Sequence, residues 1–355
     1  MNDSQPPDSK RLATAITRLL RRRPQQGDLD LLSDCLLRQP QRLLEICRKN
    51  VIPIRTFEAL SGHGISLPTS IQDWLVGERK RVQQGLELIQ SVTELFDSQE
   101  TAFMVIKTGD HYPDQGHDID LYLDRDPSEI GPVVQSAFEA KLADRSFSEA
   151  MAGKRNFKIG HLALEVHCRR LGQVGEHRRL ATEIFDLRSR DNIGDVTTWI
   201  PSSEGRLILA MLQRVYRHFN FRICDVINVA QIVESSELSA QRLDVLTRTA
   251  GIRSGVELGV GMVEDLLERL EVPLSSTSYP GHAVAPEQSL SFHRDFFRFS
   301  LSSVVPKVYL WEFTSSLGTG AVGQATRLSL LAALMPIVGL NIRLAPAIPL
   351  WRRLW

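Results

Sequence analysis

The 355-residue chain carries no net charge, because Lys plus Arg and Asp plus Glu both total 42. It therefore lacks the global basic field that holds a long nucleic acid, although Arg21-Arg22-Arg23 is a local basic cluster. Cysteine is scarce. Cys35, Cys47, Cys168 and Cys224 stand far apart, which excludes the close pairs of zinc and redox motifs and predicts reduced thiols used for packing. No apolar stretch develops behind the polar segment Met1 to Lys10, so a cytoplasmic chain is expected. Long hydrophobic runs are missing as well. Leu328 to Ile342 is fifteen residues without a charge, but Pro336 interrupts it and a bilayer span needs roughly 20. The expectation is a buried helix. Peripheral membrane contact through this C-terminal segment is the alternative, since Trp351-Arg352-Arg353-Leu354-Trp355 mixes tryptophan and arginine as interfacial anchors do.

What is present is an ordinary globular composition, 43% apolar and 24% charged. Between residues 11 and 95 apolar side chains recur at helical spacing, as in Leu12, Ile16, Leu19 and Leu20, with breaks at Pro24, Pro40 and Pro53. The last helix of this region, residues 70 to 96, shows a polar face at Glu78-Arg79-Lys80-Arg81 that is expected to be solvated. The period changes at Thr101. Ala102 to Ile106 suits a buried strand, a turn-rich loop from Thr108 to Gly116 follows, and Asp118 to Leu123 forms a second strand. Asp126-Pro127-Ser128-Glu129 starts a helix, and Asn156 to Ile159 with Leu162 to His167 reads as a hairpin around Gly160-His161. From Ser203 onward the pattern is helical again, until a Pro-, Ser- and Gly-rich stretch at residues 272 to 292. The predicted class is α+β, a small mixed sheet flanked by N-terminal and C-terminal helical regions. The predicted divisions are a helical region at 1–97, an α/β core at 98–200, a helical domain at 201–271, and a linker with an apolar helical segment at 272–355.

The aspartate strand holds the chemistry. Side chains alternate across a strand, so Asp118 and Asp120 share one face while Ile119, Leu121 and Leu123 enter a core on the other. Two carboxylates side by side repel unless a cation lies between them, which points to a hard divalent metal and to phosphate chemistry. Glu165 and His167 share a face of a second apolar strand. A lone glutamate on a strand usually meets solvent; brought next to the aspartates, it would complete a three-carboxylate centre able to hold two cations.

In Val105-Ile106-Lys107-Thr108-Gly109, in Asp118-Ile119-Asp120-Leu121 nine residues after Gly109, in Leu164-Glu165-Val166-His167, and in the stretch from Arg217-His218 through Arg222 to Asp225, the chain resembles the polymerase-beta-like nucleotidyltransferase superfamily. The resemblance is greatest to its uncharacterised bacterial branch and covers residues 100 to 235. It implies a nucleotidyltransferase-type sheet, Mg2+ or Mn2+ as cofactor, and Asp118, Asp120 and Glu165 as catalytic metal ligands. It also implies that a nucleoside triphosphate and a hydroxyl-bearing acceptor are the ligands. In place of the family's Gly-Ser phosphate cradle stand Lys107, Thr108 and Gly109, of which Lys107 supplies phosphate charge and Thr108 a hydroxyl. His167, Arg217, His218 and Arg222 are accessory candidates, with an intrahelical ion pair expected between Arg222 and Asp225.

The expected activity is transfer of a nucleoside monophosphate to a hydroxyl with release of pyrophosphate. Glycosyltransferases also use an Asp-x-Asp pair, but at the end of a hydrophobic strand; here a Gly-containing turn precedes the aspartates and the apolar residues follow them. The alternative is a non-catalytic protein of the same fold that acts in binding or assembly.

Overall fold

The computed structural model describes residues 8–144, 146–276, 279, 281, 284–285 and 288–329. Four short helices lead in, α1 (Ser9–Leu20), α2 (Gln26–Arg38), α3 (Pro40–Lys49) and α4 (Pro53–Gly62), and the 30-residue α5 (Thr69–Ser98) follows. Pro40 and Pro53 sit in the first turns of α3 and α4, where a backbone N–H has no helical partner to lose.

The next strands are β1 (Phe103–Ile106) and β2 (Asp118–Leu123). They are followed by α6 (Pro127–Phe138), β3 (Lys141–Leu142), α7 (Phe147–Met151), β4 (Lys154–Ile159) and β5 (Leu162–Cys168). Asp126 caps α6 by accepting from the Ser128 N–H, as its sequence predicts. The sheet order is β1-β2-β5-β4-β3. β2 and β5 run parallel, and the remaining neighbours are antiparallel, which makes the sheet mixed and the class α+β. β3 escapes sequence reading because two exposed residues show no alternation.

Alternation gives the sheet two unlike faces. Val105, Ile119, Leu121, Leu164 and Val166 on one face meet Ile89, Val92 and Phe96 of α5 and Val134 of α6 in an apolar core. Met104, Ile106 and Tyr122 on the other face join a second and larger core.

That larger core is built by both ends of the described chain. After α8 (Arg178–Asp186) and the hairpin of β6 (Ser189–Ile193) with β7 (Val196–Ile200) come α9 (Ser203–Gln213), a single π-helical turn at Arg214–His218, and β8 (Asn220–Phe221). The remaining elements are α10 (Ile223–Glu234), α11 (Ala240–Thr249), α12 (Arg253–Arg269), β9 (Ser291–His293), β10 (Phe296–Arg298) and α13 (Leu301–Gly318). Leu12, Leu43 and Phe57 from the first helices share one cluster with Leu207, Val229, Met262 and Val304. Polar contacts reinforce the joint: the Arg21 guanidinium donates to both Glu234 carboxylate oxygens at 2.8 and 2.7 Å. All four cysteines are buried and free. Among the described residues no helix is long and apolar enough to cross a membrane. The Trp- and Arg-bearing tail, and the segment from residue 330 on, lie outside the described residues.

Candidate functional site

Strand register assembles the site. Asp120 is flanked by Ile106 of β1 and directly opposed to Glu165 of β5, and Tyr122 is opposed to His167. On the far side of β5, Lys154 of β4 lies across from His167 and Asn156 across from Glu165. Opposed residues project from the same face of a sheet, so Asp120, Glu165, His167 and Lys154 converge; Asp118, opposite Ala163, shares that face by alternation but is not among the residues whose ligand atoms cluster. The adjacency of the two acidic strands, which sequence leaves open, is thereby settled.

The His167 Nε2 stands 2.7 Å from Glu165 Oε1 and 3.2 Å from Asp120 Oδ1. Oxygen atoms of Asp120 and Glu165 and a ring nitrogen of His167 all lie within 4.8 Å of one another. Two ammonium groups enter the same patch. Lys107 Nζ is 2.7 Å from Asp120 Oδ1, 3.3 Å from His167 Nε2 and 3.9 Å from Glu165 Oε1. Lys154 Nζ donates to Glu165 Oε1 at 2.5 Å. The carboxylates are thus balanced by cations of the chain itself.

Electrostatics follow from this arrangement. Burial alone would raise the Asp120 carboxyl, but the Lys107 ammonium and the His167 hydrogen bond hold it below its ordinary value. Glu165 is held well below its ordinary value, with His167, Lys154 and Lys107 outweighing burial. Asp118 goes the other way: burial first, then the charges of Asp120 and Glu165, push it up to about 6. Burial lowers His167, reinforced by the two lysines and opposed by Glu165 and the Asp120 hydrogen bond. Lys154 is pushed down to about 8 by burial and by the nearby Arg217.

The expected phosphate loop is folded onto the acidic strands. The Thr108 hydroxyl accepts from the Asp120 N–H at 3.0 Å and opens a 3₁₀ turn at Thr108–His111. Gly109 lies against the β6–β7 hairpin, where a Cβ would come 2.9 Å from Ile193 Cδ1. Lys107 itself has φ 60° and ψ −44°, a conformation that non-glycine residues seldom adopt.

Of the accessory candidates, Arg217 and His218 lie on the π-helical turn near the lysines. His218 is pushed down to about 2 by burial and by Arg214, Arg217, Arg222 and Lys107. Burial, Arg81 and then Arg222 lower the pKa of His117. The expected ion pair between Arg222 and Asp225 does not form. Because Arg222 is the N-cap of α10, Asp225 turns back to accept its backbone N–H at 2.7 Å, and it pairs with the buried Arg214 at 2.9 Å.

Sequence reading passed over two residues. Lys154 is one, although the turn at Gly160-His161 already sets it opposite His167. Arg81 is the other: placed on a solvated face by periodicity, it donates instead to the carbonyls of Gln115 and Gly116 at 2.8 Å each and ties α5 to the loop before Asp118.

No protein-family model matches the sequence, and no curated protein matches it. Among solved structures, the chain is similar to an antigenic nucleotidyltransferase-like protein from Paracoccidioides brasiliensis, with a TM-score of 0.34 and 15% identity over 54% of this chain and 94% of that one. It is also similar to a tRNA-processing enzyme in an apo form, with a TM-score of 0.28 and 13% identity over 72% of this chain and 68% of that one. Likenesses of this size assign neither an activity nor a ligand.

Proposed function

We propose that the chain is a metal-dependent nucleotidyltransferase, which moves a nucleoside monophosphate from a nucleoside triphosphate to a hydroxyl-bearing acceptor and releases pyrophosphate. The observation that supports this most is the in-register opposition of Asp120 and Glu165 on parallel strands, with Asp118 on the same face. The donor set suits a divalent cation, since Asp120, Glu165 and His167 offer ligand atoms within 4.8 Å of one another. A further sign of fit is the setting of Asp118, whose carboxyl is raised to about 6 by burial and by the neighbouring charges of Asp120 and Glu165, which a cation would offset. Asp118, Asp120 and Glu165 would hold Mg2+ or Mn2+, and the nitrogen of His167 favours Mn2+ where it joins them. When bound, the ion supplies neutralisation of phosphate charge and a lowered pKa for the acceptor hydroxyl.

The chain's own residues supply the rest. Arg217, close enough to Lys154 to help lower its pKa, offers a planar fork for phosphate oxygens, and Arg222 adds to the positive field that keeps His218 uncharged. Thr108 fixes the backbone of Asp120 and so aims its carboxylate. Arg81 braces the approach to Asp118 from α5.

Incubation with α-labelled ATP, GTP, CTP and UTP in Mn2+ tests the proposal by pyrophosphate release and label transfer. Asp120→Asn is expected to lower the rate by a factor on the order of a thousand or more with the fold retained. Full metal-dependent transfer by that variant would refute the assignment. One observation favours the second reading, a binding or assembly factor: the Thr108 hydroxyl and the Lys107 ammonium are both engaged by Asp120. Calorimetry with the same four nucleotides and Mn2+ separates the two, because a factor of that kind gives no heat with any of them.

A further inference from the structure

Other buried titratable pairs are explained by architecture. Arg214 and Asp225 neutralise each other at the start of α10. His177 and Glu312, 3.3 Å apart with Gln324 donating to Glu312, join α13 to the segment before α8. Lys107 differs in neutralising side chains that also form the candidate metal seat.

Its ammonium reaches the three donor atoms of the metal seat at once, at 2.7, 3.3 and 3.9 Å, and those atoms lie within 4.8 Å of one another. A monovalent cation of the chain therefore stands where a divalent cation would bind. A divalent cation held by those three donors would repel an ammonium left at this range. The two lysines of the site differ in their freedom to leave. Lys154, the first residue of β4, is 2% exposed, whereas the Lys107 side chain is 13% exposed and follows the end of β1, where strand gives way to loop. The unusual backbone angles of Lys107 mark that junction as a strained point, and strain of this kind collects at switching and binding sites.

We infer that Lys107 is an internal counter-ion of the metal seat, filling it in the metal-free chain and leaving it when a divalent cation enters. The inference rests on the metal reading of this site and not on nucleotidyl transfer. It accounts for an ammonium that lies within reach of all three donor atoms. It also sets the affinity for free metal by competition, so the seat is weaker than its donors alone would make it.

Mn2+ alone is the probe, titrated into the full-length chain and followed by the electron paramagnetic resonance signal of free Mn2+. Lys107→Met is expected to bind Mn2+ about ten- to hundredfold more tightly than the wild type, the equilibrium equivalent of one charge-assisted hydrogen bond no longer competing. Binding by Lys107→Met but not by the wild type would support the inference most strongly. Reductive methylation of the wild type, read by peptide mass spectrometry, needs no variant: Mn2+ should raise modification of Lys107 and leave Lys154 unmodified. Equal affinities in the two folded proteins, or Lys107 equally protected at saturating Mn2+, would overturn it. If Asp120→Asn binds Mn2+ as the wild type does, or if no form binds, the metal reading falls and the inference with it.

Discussion

Asp118 stands apart from its two acidic neighbours. Burial and the charges of Asp120 and Glu165 raise it from 3.8 to about 6, so the folded chain prefers it protonated. The stabilisation from such a group is fully present below the unfolded value and is lost as pH rises from about 4 through about 6. Asp118→Asn is accordingly expected to stabilise the metal-free protein by about 2–3 kcal/mol at pH 8 and by nothing at pH 3, as read by urea unfolding at both pH values. Asp120 and Glu165 follow the opposite sign. Held low by Lys107, Lys154 and His167, they contribute stability above their unfolded values and lose it as pH falls. The alternation Asp118-Ile119-Asp120-Leu121 made the aspartates legible in sequence because a period of two is a local signal. Lys107 and Lys154 as counter-ions were not legible. Their role depends on which strands are neighbours, and that is a property of the whole sheet.

At the scale of elements, the π-helical turn at Arg214–His218 joins α9 to β8 and carries three of the basic residues near the site. One extra residue in a helical turn leaves hydrophobic spacing nearly unchanged, so periodicity places Leu207 to Val215 in one helix and does not register the break. The turn is held by Arg214, which is 1% exposed and ion-paired to Asp225 of α10. Removing one member of a buried pair strands the other charge. Asp225→Ala should cost about 3–5 kcal/mol, measured by chemical denaturation, and lower label transfer by displacing Arg217. The parallel pairing of β2 with β5 was likewise hidden, since the crossover between them contains α6, β3, α7 and β4, and a short-range turn signal identifies the hairpin but not its partner. The two central strands, the hairpin and the start of α6 were legible, each from a short-range cue such as Gly160 or Pro127.

At the scale of the molecule, the helices that precede the sheet belong to the core that follows it, and they also reach the site. Arg55 of α4 pairs with the buried Asp114 at 2.8 Å, and Arg81 of α5 holds Gln115 and Gly116, so the loop leading into Asp118 is braced from the N-terminal region. Periodicity revealed those helices but not their partner, because contacts over a separation of 213 residues, as between Arg21 and Glu234, leave no local trace. A metal centre on one face of the sheet, set by that brace, is the claim on which the rest depends. Anomalous diffraction at the manganese edge, from crystals of the whole chain grown with Mn2+ and a non-hydrolysable nucleoside triphosphate, tests it most directly. The expected result is a peak among Asp118, Asp120 and Glu165, with Lys107 withdrawn and phosphate oxygens toward Arg217. Triphosphate bound elsewhere, with no manganese at those carboxylates, would contradict it.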